Sequence, residues 1–275
     1  MLKIKKNIKY IILTIISLFF LSLFAFSSKL KIVHYTLKKS KMKSDIKIVL
    51  LTDLHSCKYG ENQKELIDSI YEQKPDIILL AGDIADNKIP HQNTKLVLKS
   101  IGNKYPCFYV TGNHEVWARD FLDIKKLFRD NNINILEGNS KTLKFNGQII
   151  NIAGIDDPYV GEQLFNKQLN DCGNNIIDNA YNILITHRPE RIDDYLKYDF
   201  DLITSGHAHG GQWRIPYILN GLLAPNQGFF PKYAGGLYEF ENTDFIVSRG
   251  LARESTKIPR IFNRPELVVI NLKTK

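Results

Sequence analysis

Cysteine is scarce in this chain of 275 residues, which contains only Cys57, Cys107 and Cys172. Three widely separated cysteines cannot build a disulfide framework or the thiolate-rich ligand set of a structural zinc site. A His-Glu-x-x-His stretch, the helical motif of the commonest zinc peptidases, is also missing. There is no internal repeat and no low-complexity segment, and 44% of the residues are hydrophobic. Together these features indicate an ordinary globular domain.

An excess of positive charge is missing from most of the chain, although the formal net charge is +8. Residues 1–45 contain ten lysines and one Asp, whereas residues 46–275 carry 27 basic and 28 acidic residues, a net charge of −1. A nucleic-acid-binding domain normally has a strongly basic face. We therefore expect no nucleic-acid partner.

One long hydrophobic run is present, from Tyr10 to Phe26, and it contains no charged residue. A membrane-spanning helix needs roughly 20 apolar residues, with a lower limit near 17. We therefore predict one N-terminal transmembrane helix that anchors the protein in a membrane, within a basic segment over residues 1–45. A cleaved signal peptide and a buried core helix are the alternatives. Because lysines flank the run on both sides, the positive-inside rule leaves both orientations open.

From residue 46 onwards, apolar runs alternate with segments of helical spacing. Asn146-Gly147 between two apolar runs is a strong hairpin signal. Alternating strands and helices predict a parallel sheet core. We predict an α/β fold, a four-layer sandwich of two central mixed β-sheets flanked by helices, in one domain over residues 46–275. The predicted strands include residues 46–52, 75–81, 107–111, 142–145, 149–155, 183–186, 200–204, 245–247 and 267–272.

Polar residues follow these predicted strands directly. Five of the seven histidines lie at such positions, as do two Asp and one Asn: His55, His114, His187, His207, His209, Asp53, Asp83 and Asn113. Ligands of open α/β sheets bind at the carboxyl ends of the strands, so we expect these side chains to converge. A mixed set of Asp, His and Asn suits manganese, iron or zinc in a hydrolytic site. One carboxylate can bridge two cations, and such a pair clamps a phosphate.

The order of these motifs resembles that of the calcineurin-like metallophosphoesterase family. The motifs are Asp53-Leu54-His55, Gly82-Asp83, Gly112-Asn113-His114-Glu115, His187 and Gly206-His207-Ala208-His209. The continuation Gly210-Gly211-Gln212 and the C-terminal tail are similar to the YkuE/YaeI-like, membrane-associated subgroup. Residues 251–257 depart from the glycine-rich stretch expected there.

The resemblance implies a role for each motif. Asp53, His55 and His209 would hold a first divalent metal ion, Asn113, His187 and His207 a second, and Asp83 would bridge the two. The expected metal is manganese, with iron or zinc as alternatives. A hydroxide between the metals would attack phosphorus, and His114, just outside them, would stabilise the transition state and help to protonate the leaving oxygen. Glu115 would either orient His114 or act as an acidic residue in the first turn of a helix.

Three arginines are candidate phosphate clamps: Arg188, Arg249 and Arg260. A guanidinium pairs bidentately with phosphoryl oxygens, and surface salt bridges are the alternative. Residues 156–162, 213–226 and 229–233 are predicted to form the walls that select the substrate.

The predicted function is a dinuclear metal-dependent phosphoester hydrolase, of the phosphodiesterase or pyrophosphatase type, that acts at the membrane. Its substrate would be a phosphate ester or a lipid-linked pyrophosphate. A catalytically silent scaffold with the same fold is the alternative. Such a scaffold would be expected to lack metal ligands or the outer histidine, and this chain keeps all of them.

Overall fold

Two mixed β-sheets of six strands form the centre of the computed structural model, which describes residues 2–253 and 258–275. The strands are β1 (Lys31–Lys39), β2 (Ile46–Leu51), β3 (Ile77–Ala81), β4 (Cys107–Val110), β5 (Asn134–Ile135), β6 (Asn139–Phe145), β7 (Gln148–Gly154), β8 (Tyr181–Ile185), β9 (Leu202–Ser205), β10 (Leu223–Ala224), β11 (Gly228–Phe229), β12 (Gly236–Glu239), β13 (Asp244–Val247) and β14 (Glu266–Thr274). The helices are α1 (Leu2–Ala25), α2 (Lys64–Gln73), α3 (Gln92–Gly102), α4 (Asn113–Trp117), α5 (Phe121–Asp130), α6 (Glu162–Asn174) and α7 (Ile192–Tyr195).

The first sheet has the strand order β1-β14-β2-β3-β4-β5, and the second has the order β12-β13-β9-β8-β7-β6. Strands β2 to β5 are parallel, as are β7, β8, β9 and β13, whereas β14 runs antiparallel to β2. In each sheet the parallel strands therefore end at one common edge. The predicted α/β fold with two mixed sheets and helices is confirmed.

Alternating side chains of each central strand pack in two different layers. In β2, Ile48 and Leu50 face the second sheet and share a core with Ile152 and Ile183. The residues between them, such as Val49, point the other way and pack with side chains of α2 and α3. Because successive side chains of a strand point to opposite faces, a strand buried on both faces is apolar throughout. This explains the unbroken apolar runs of the sequence.

The outer face of the second sheet is covered in the same way. Leu184 and Ile203 pack there with Phe165 of α6 and Ile192 of α7. The order of layers is thus helix, sheet, sheet, helix. The predicted hairpin around Asn146-Gly147 is formed by β6 and β7, which pair from Phe145 with Gln148 outwards.

Strand β1 lies upstream of residue 46, yet it belongs to the first sheet. It pairs in parallel with β14 along its whole length, from Lys31 with Glu266 to Lys39 with Thr274. This strand was not predicted, because lysines flank it and His34 and Thr36 interrupt its apolar residues. Residues 31–39 are therefore part of the folded sheet and do not form a linker.

Helix α1 contains the long hydrophobic run. In the described parts of the chain, no helix is both long enough and apolar enough to cross a membrane. Lysines occupy four of the first nine positions, and the helix ends at Ala25. The predicted transmembrane helix is therefore not supported.

Candidate metal centre

The predicted ligands follow β2, β3, β4, β8 and β9, in tight loops or, for Asn113, at the first residue of α4. All seven are buried, namely Asp53, His55, Asp83, Asn113, His187, His207 and His209. Five of them have left-handed backbone angles, with φ of 49° at Asp53, 47° at His55, 53° at Asp83, 66° at His207 and 47° at His209. Non-glycine residues adopt this conformation at a cost and tend to do so where function requires it. The backbone conformation of these loops therefore sets the direction of the five side chains.

Glycines allow the backbone to approach the two carboxylates closely. A Cβ atom at Gly112 would lie 2.2 Å from Oδ1 of Asp83, and one at Gly206 would lie 2.5 Å from Oδ2 of Asp53. Any side chain at either position would displace the carboxylate beside it. The glycines of the Gly-Asn-His-Glu and Gly-His-x-His motifs therefore help to position the acids.

A first cluster consists of Asp53, His55 and His209. One ligand atom of each lies within 4.8 Å of the other two, and Nε2 of His209 is 3.6 Å from Oδ1 of Asp53. The backbone N–H of His207 donates to both carboxylate oxygens of Asp53, at 3.0 and 3.2 Å. The Gly-His-x-His loop of the second sheet is thus tied directly to an acid of the first sheet.

A second cluster consists of Asp83, His187 and His207, again with one ligand atom of each within 4.8 Å of the others. Oδ2 of Asp83 lies 3.2 Å from Nε2 of His187 and 3.6 Å from Nε2 of His55. One carboxylate oxygen therefore lies between a histidine of each cluster, which is the position a bridging ligand needs. Asn113 is held next to Asp83, because the N–H of His114 donates to Oδ1 of Asp83 at 2.8 Å.

The polar atoms in this centre fit divalent cations. Nε2 of His55, Nε2 of His187 and Oδ1 of Asn113 are buried and have no hydrogen-bond partner among the residues that the structure describes. Unsatisfied buried polar atoms are costly and rare. Nδ1 of His187 is 2.8 Å from the carbonyl oxygen of Ala81, and this hydrogen bond leaves the Nε2 lone pair for a cation. Burial lowers the pKa of His187, but the negative charge of Asp83 has the larger effect and raises that pKa to about 10. The acids of the centre therefore supply negative charge that a cation would neutralise.

Comparison with known proteins agrees with this geometry. A sequence profile described as calcineurin-like phosphoesterase matches residues 46–211. The chain belongs to this family. It is 34% identical to the uncharacterised metallophosphoesterase Cj0846 of Campylobacter jejuni over 85% of this chain, but spans only 61% of that protein's length. It is 30% identical to the uncharacterised metallophosphoesterase YkuE of Bacillus subtilis, over 83% of this chain and 79% of YkuE.

Solved structures of low sequence identity share the fold. The phosphopantetheinyl hydrolase PptH of Mycobacterium tuberculosis has a TM-score of 0.51 at 13% identity, and the match covers 75% of this chain and 89% of PptH. GAP50, described as the anchor in the inner membrane complex of Plasmodium, has a TM-score of 0.52 at 14% identity, over 84% of this chain and 82% of that protein. At these identities the likeness concerns the fold alone.

Asp86 is a polar residue of this calcineurin-like centre that the sequence analysis missed. Its Oδ2 atom lies 3.1 Å from Nδ1 of His55 and 3.0 Å from Nδ1 of His114. One carboxylate thus holds both a candidate ligand and the outer histidine. Burial raises the pKa of Asp86, but hydrogen bonds from His114, His55 and the backbone outweigh it and hold that pKa well below its usual range. Its spacing of three residues from Asp83 was the signal available in the sequence.

Glu115 takes the second of the two roles predicted for it, as an acidic residue in the first turn of α4. Its carboxylate accepts four backbone hydrogen bonds, from Asp83, Ile84, Ala85 and Gly112, at 2.7–2.9 Å. It therefore joins the loop after β3 to the loop after β4, and so fixes Asp83. Burial and the charge of Asp83 raise the pKa of Glu115 to about 7.

The three candidate arginines are placed differently. Arg188 is buried and pairs bidentately with Asp157, and its Nη1 atom is 2.9 Å from Nε2 of His207. Arg260 reaches to 3.4 Å from Nδ1 of His209. Arg249 is paired at 2.9 Å with the buried carboxylate of Glu266. Two of the three arginines thus contact histidines of the centre.

Asn226, the last residue of the predicted substrate wall 213–226, is another polar neighbour of the centre. Its Oδ1 atom is 2.9 Å from Nε2 of His207 and 2.7 Å from Nη1 of Arg188. Because Arg188 and Asn226 both contact Nε2 of His207, Nδ1 is the nitrogen available to a cation. Asn226 lies in an exposed turn far along the chain, and no local pattern distinguishes it from other turn residues.

A cavity of about 330 Å³ opens beside the centre. It is lined by Pro158, Tyr159, Arg188, Glu190, Arg191 and Asn226. The ring of Tyr159 is 5.0 Å from that of Trp117, which in turn is 5.3 Å from His114. Two of the predicted substrate walls, residues 156–162 and 213–226, contribute to this cavity.

The departure from the family pattern noted at residues 251–257 lies mostly at 254–257, outside the described residues.

Proposed function

We propose that this protein is a dinuclear metal-dependent phosphoester hydrolase, of the phosphodiesterase or pyrophosphatase type. The observation that carries the proposal is Oδ2 of Asp83, which lies between His55 of one cluster and His187 of the other. Two divalent cations held there would polarise the phosphoryl group and activate a water molecule as the nucleophile. We expect manganese, with iron or zinc as alternatives.

The chain's own residues divide the remaining work. His114 holds a proton that it can deliver to the leaving oxygen, because Asp86 binds its Nδ1 and leaves Nε2 free to face the substrate. Its side chain is 25% exposed, so a substrate can reach it. Arg188 lines the cavity and offers a fixed positive charge to the phosphoryl oxygens.

A hydrolysis assay tests this proposal directly. The full chain is stripped of metal, and manganese, zinc or iron is added back before bis(4-nitrophenyl) phosphate or 4-nitrophenyl phosphate is supplied. The full chain is needed because β1, upstream of residue 46, pairs with β14. We expect metal-dependent turnover, faster on the diester. A folded, metal-loaded protein that hydrolyses neither substrate nor a lipid-linked pyrophosphate would instead be the silent scaffold.

We also propose that the enzyme works at a membrane surface on a phosphate ester or lipid-linked pyrophosphate. The large apolar side chains of α1 from Tyr10 to Phe24 are 46–66% exposed, on all sides of the helix. A helix that is apolar all round is unfavourable in water and favourable in lipid. Flotation of the full chain with phospholipid vesicles tests this proposal, since protein that stays at the bottom of the gradient would refute it.

A further inference from the structure

Residues 213–230 expose an unusual number of large apolar side chains, which we call the 213–230 surface. Tyr217 is fully exposed, and Ile218 is 83% exposed. Exposed apolar patches of this kind mark interaction sites. The members of the surface are Trp213, Ile215, Tyr217, Ile218, Phe229 and Phe230.

The exposure follows from the ordered backbone of this segment. The N–H of Ile215 donates to Leu219 and that of Ile218 to Ile215, which closes a turn with Tyr217 at its tip. Strands β10 and β11 pair antiparallel and hold Phe229 and Phe230 outward. These side chains are thus presented by a hydrogen-bonded framework.

The 213–230 surface is linked to α1 by residues 259–262. The N–H of Phe262 donates to the carbonyl oxygen of Ala25 at 2.7 Å, and the Phe262 ring is 6.1 Å from that of Phe24. On the other side, Trp213 pairs with Ile261 in a β-bridge, and its Nε1 donates to Pro259 at 2.9 Å. The end of α1 and the 213–230 surface therefore belong to one continuous region.

The segments that form this region are basic. No acidic residue occurs between Asp201 and Glu239, whereas Arg214 and Lys232 lie in that stretch. Lys29 and Lys31 follow α1 and are exposed, and Arg264 donates to the carbonyl oxygens of Lys29 and Leu30. Basic residues around an apolar surface match the anionic headgroups of a lipid bilayer.

We infer that the 213–230 surface docks into an anionic lipid bilayer together with α1. A protein partner would cover one side of α1, whereas its apolar side chains are exposed all round and need an apolar medium. His209 of the metal centre precedes Trp213 by only four residues, so this docking turns the catalytic side of the molecule towards the headgroups. This inference rests on the proposed action at a membrane and adds which face of the protein contacts the bilayer.

The chain's two tryptophans provide the test, because only Trp213 belongs to the 213–230 surface and Trp117 lies beside His114. Full-length Trp117→Phe and Trp213→Phe each retain one tryptophan. Both are mixed with phosphatidylcholine–phosphatidylglycerol vesicles that carry brominated acyl chains. We expect Trp213 fluorescence to fall at least twofold and Trp117 fluorescence to change little. Equal quenching of both tryptophans, no quenching of Trp213, or no binding to vesicles would overturn the inference.

A second pair of variants separates docking by this surface from anchoring by α1 alone. In the Trp117→Phe background, Tyr217→Ser with Ile218→Ser should reduce the quenching of Trp213. The control Leu122→Ser, at a 75% exposed apolar residue of α5, should not. Unchanged quenching in the double variant would contradict the inference. Hydrolysis of a water-soluble diester by these proteins reports on the proposed function separately, since it needs no lipid.

Discussion

Two pairs of histidines in the candidate centre, one pair from each sheet, have opposite kinds of partner. From the first sheet, His55 and His114 both form hydrogen bonds with the carboxylate of Asp86. From the second sheet, His207 contacts Arg188 and His209 contacts Arg260. The side with His55 and His114 is therefore acidic behind its rings, and the side with His207 and His209 is basic. His187 of the second sheet lies 3.2 Å from Oδ2 of Asp83 and belongs to neither side.

The difference appears in the protonation of the rings. Burial lowers the pKa of His114, but the hydrogen bond to Asp86 and nearby carboxylates outweigh it and raise that pKa. Burial and neighbouring positive charges lower the pKa of His207 and of His209 well below the ordinary value. The first side is suited to hold a proton for a leaving oxygen, and the second to keep neutral ligands beside guanidinium groups that attract phosphoryl oxygens. Four experiments test this division.

Asp83→Ala should have the largest effect on metal binding and activity, because Oδ2 of Asp83 lies near a histidine of each cluster. We expect loss of both metal equivalents and a fall in turnover by about 10³-fold or more. Metal content by mass spectrometry and hydrolysis of a diester measure the two losses. Asp123→Ala, at an exposed acid of α5, is the matched control. A variant that retained two metals would contradict the bridging position.

His114→Ala should abolish most turnover while both metals stay bound. A general acid typically contributes 10²–10⁴-fold, and we expect a loss of about that size. The loss should be smaller for a substrate with a leaving group of low pKa, which departs without a proton. If metal content fell in step with activity, His114 would belong to the metal set and not to the outer, proton-holding position.

Asp86→Asn should affect the acidic side alone and lower activity by about 10–100-fold. A loss of this size is expected for a residue that orients catalytic and ligand histidines. Asp86 raises the pKa of His114, so the variant should lower that pKa. Because activity needs His114 protonated, it is lost as pH rises through the pKa, and the alkaline limb of the kcat profile should move to lower pH. An unchanged limb, with metal in excess, would show that Asp86 does not act through His114.

Substitutions of two arginines should have the smallest effects on catalysis and differ from each other. Arg188→Lys should raise KM about tenfold, since lysine cannot reproduce the bidentate, planar contact. For Arg249→Ala we expect unchanged KM but a loss of about 3–5 kcal/mol of stability, because Glu266 would be buried without its partner. A rise in KM for Arg249→Ala, measured on folded protein, would favour the substrate contact that the sequence predicts for Arg249.

Much of the fold follows from local patterns. The alternating apolar runs predicted the central strands, and Asn146-Gly147 predicted the hairpin of β6 and β7, because strand periodicity and turn chemistry act over a few residues. Strand β1 was missed because lysines flank it, His34 and Thr36 interrupt its apolar residues, and its pairing partner lies more than 200 residues away. The predicted transmembrane helix was judged from its apolar run, but lysines take up the first turns of α1.

By itself, the sequence determined which residues end the strands and hence which side chains can meet at the edge of the sheets. Strands that run in parallel deliver their ends to one place, so Asp53, Asp83 and His187 could be predicted to converge. Only the tertiary structure decided the partners of each ring. Asp86 reaches two histidines, Asn226 meets His207, and Glu115 binds the loop of Asp83 because two sheets and a distant turn pack together. Contacts between segments far apart in the chain depend on packing, which local patterns do not record.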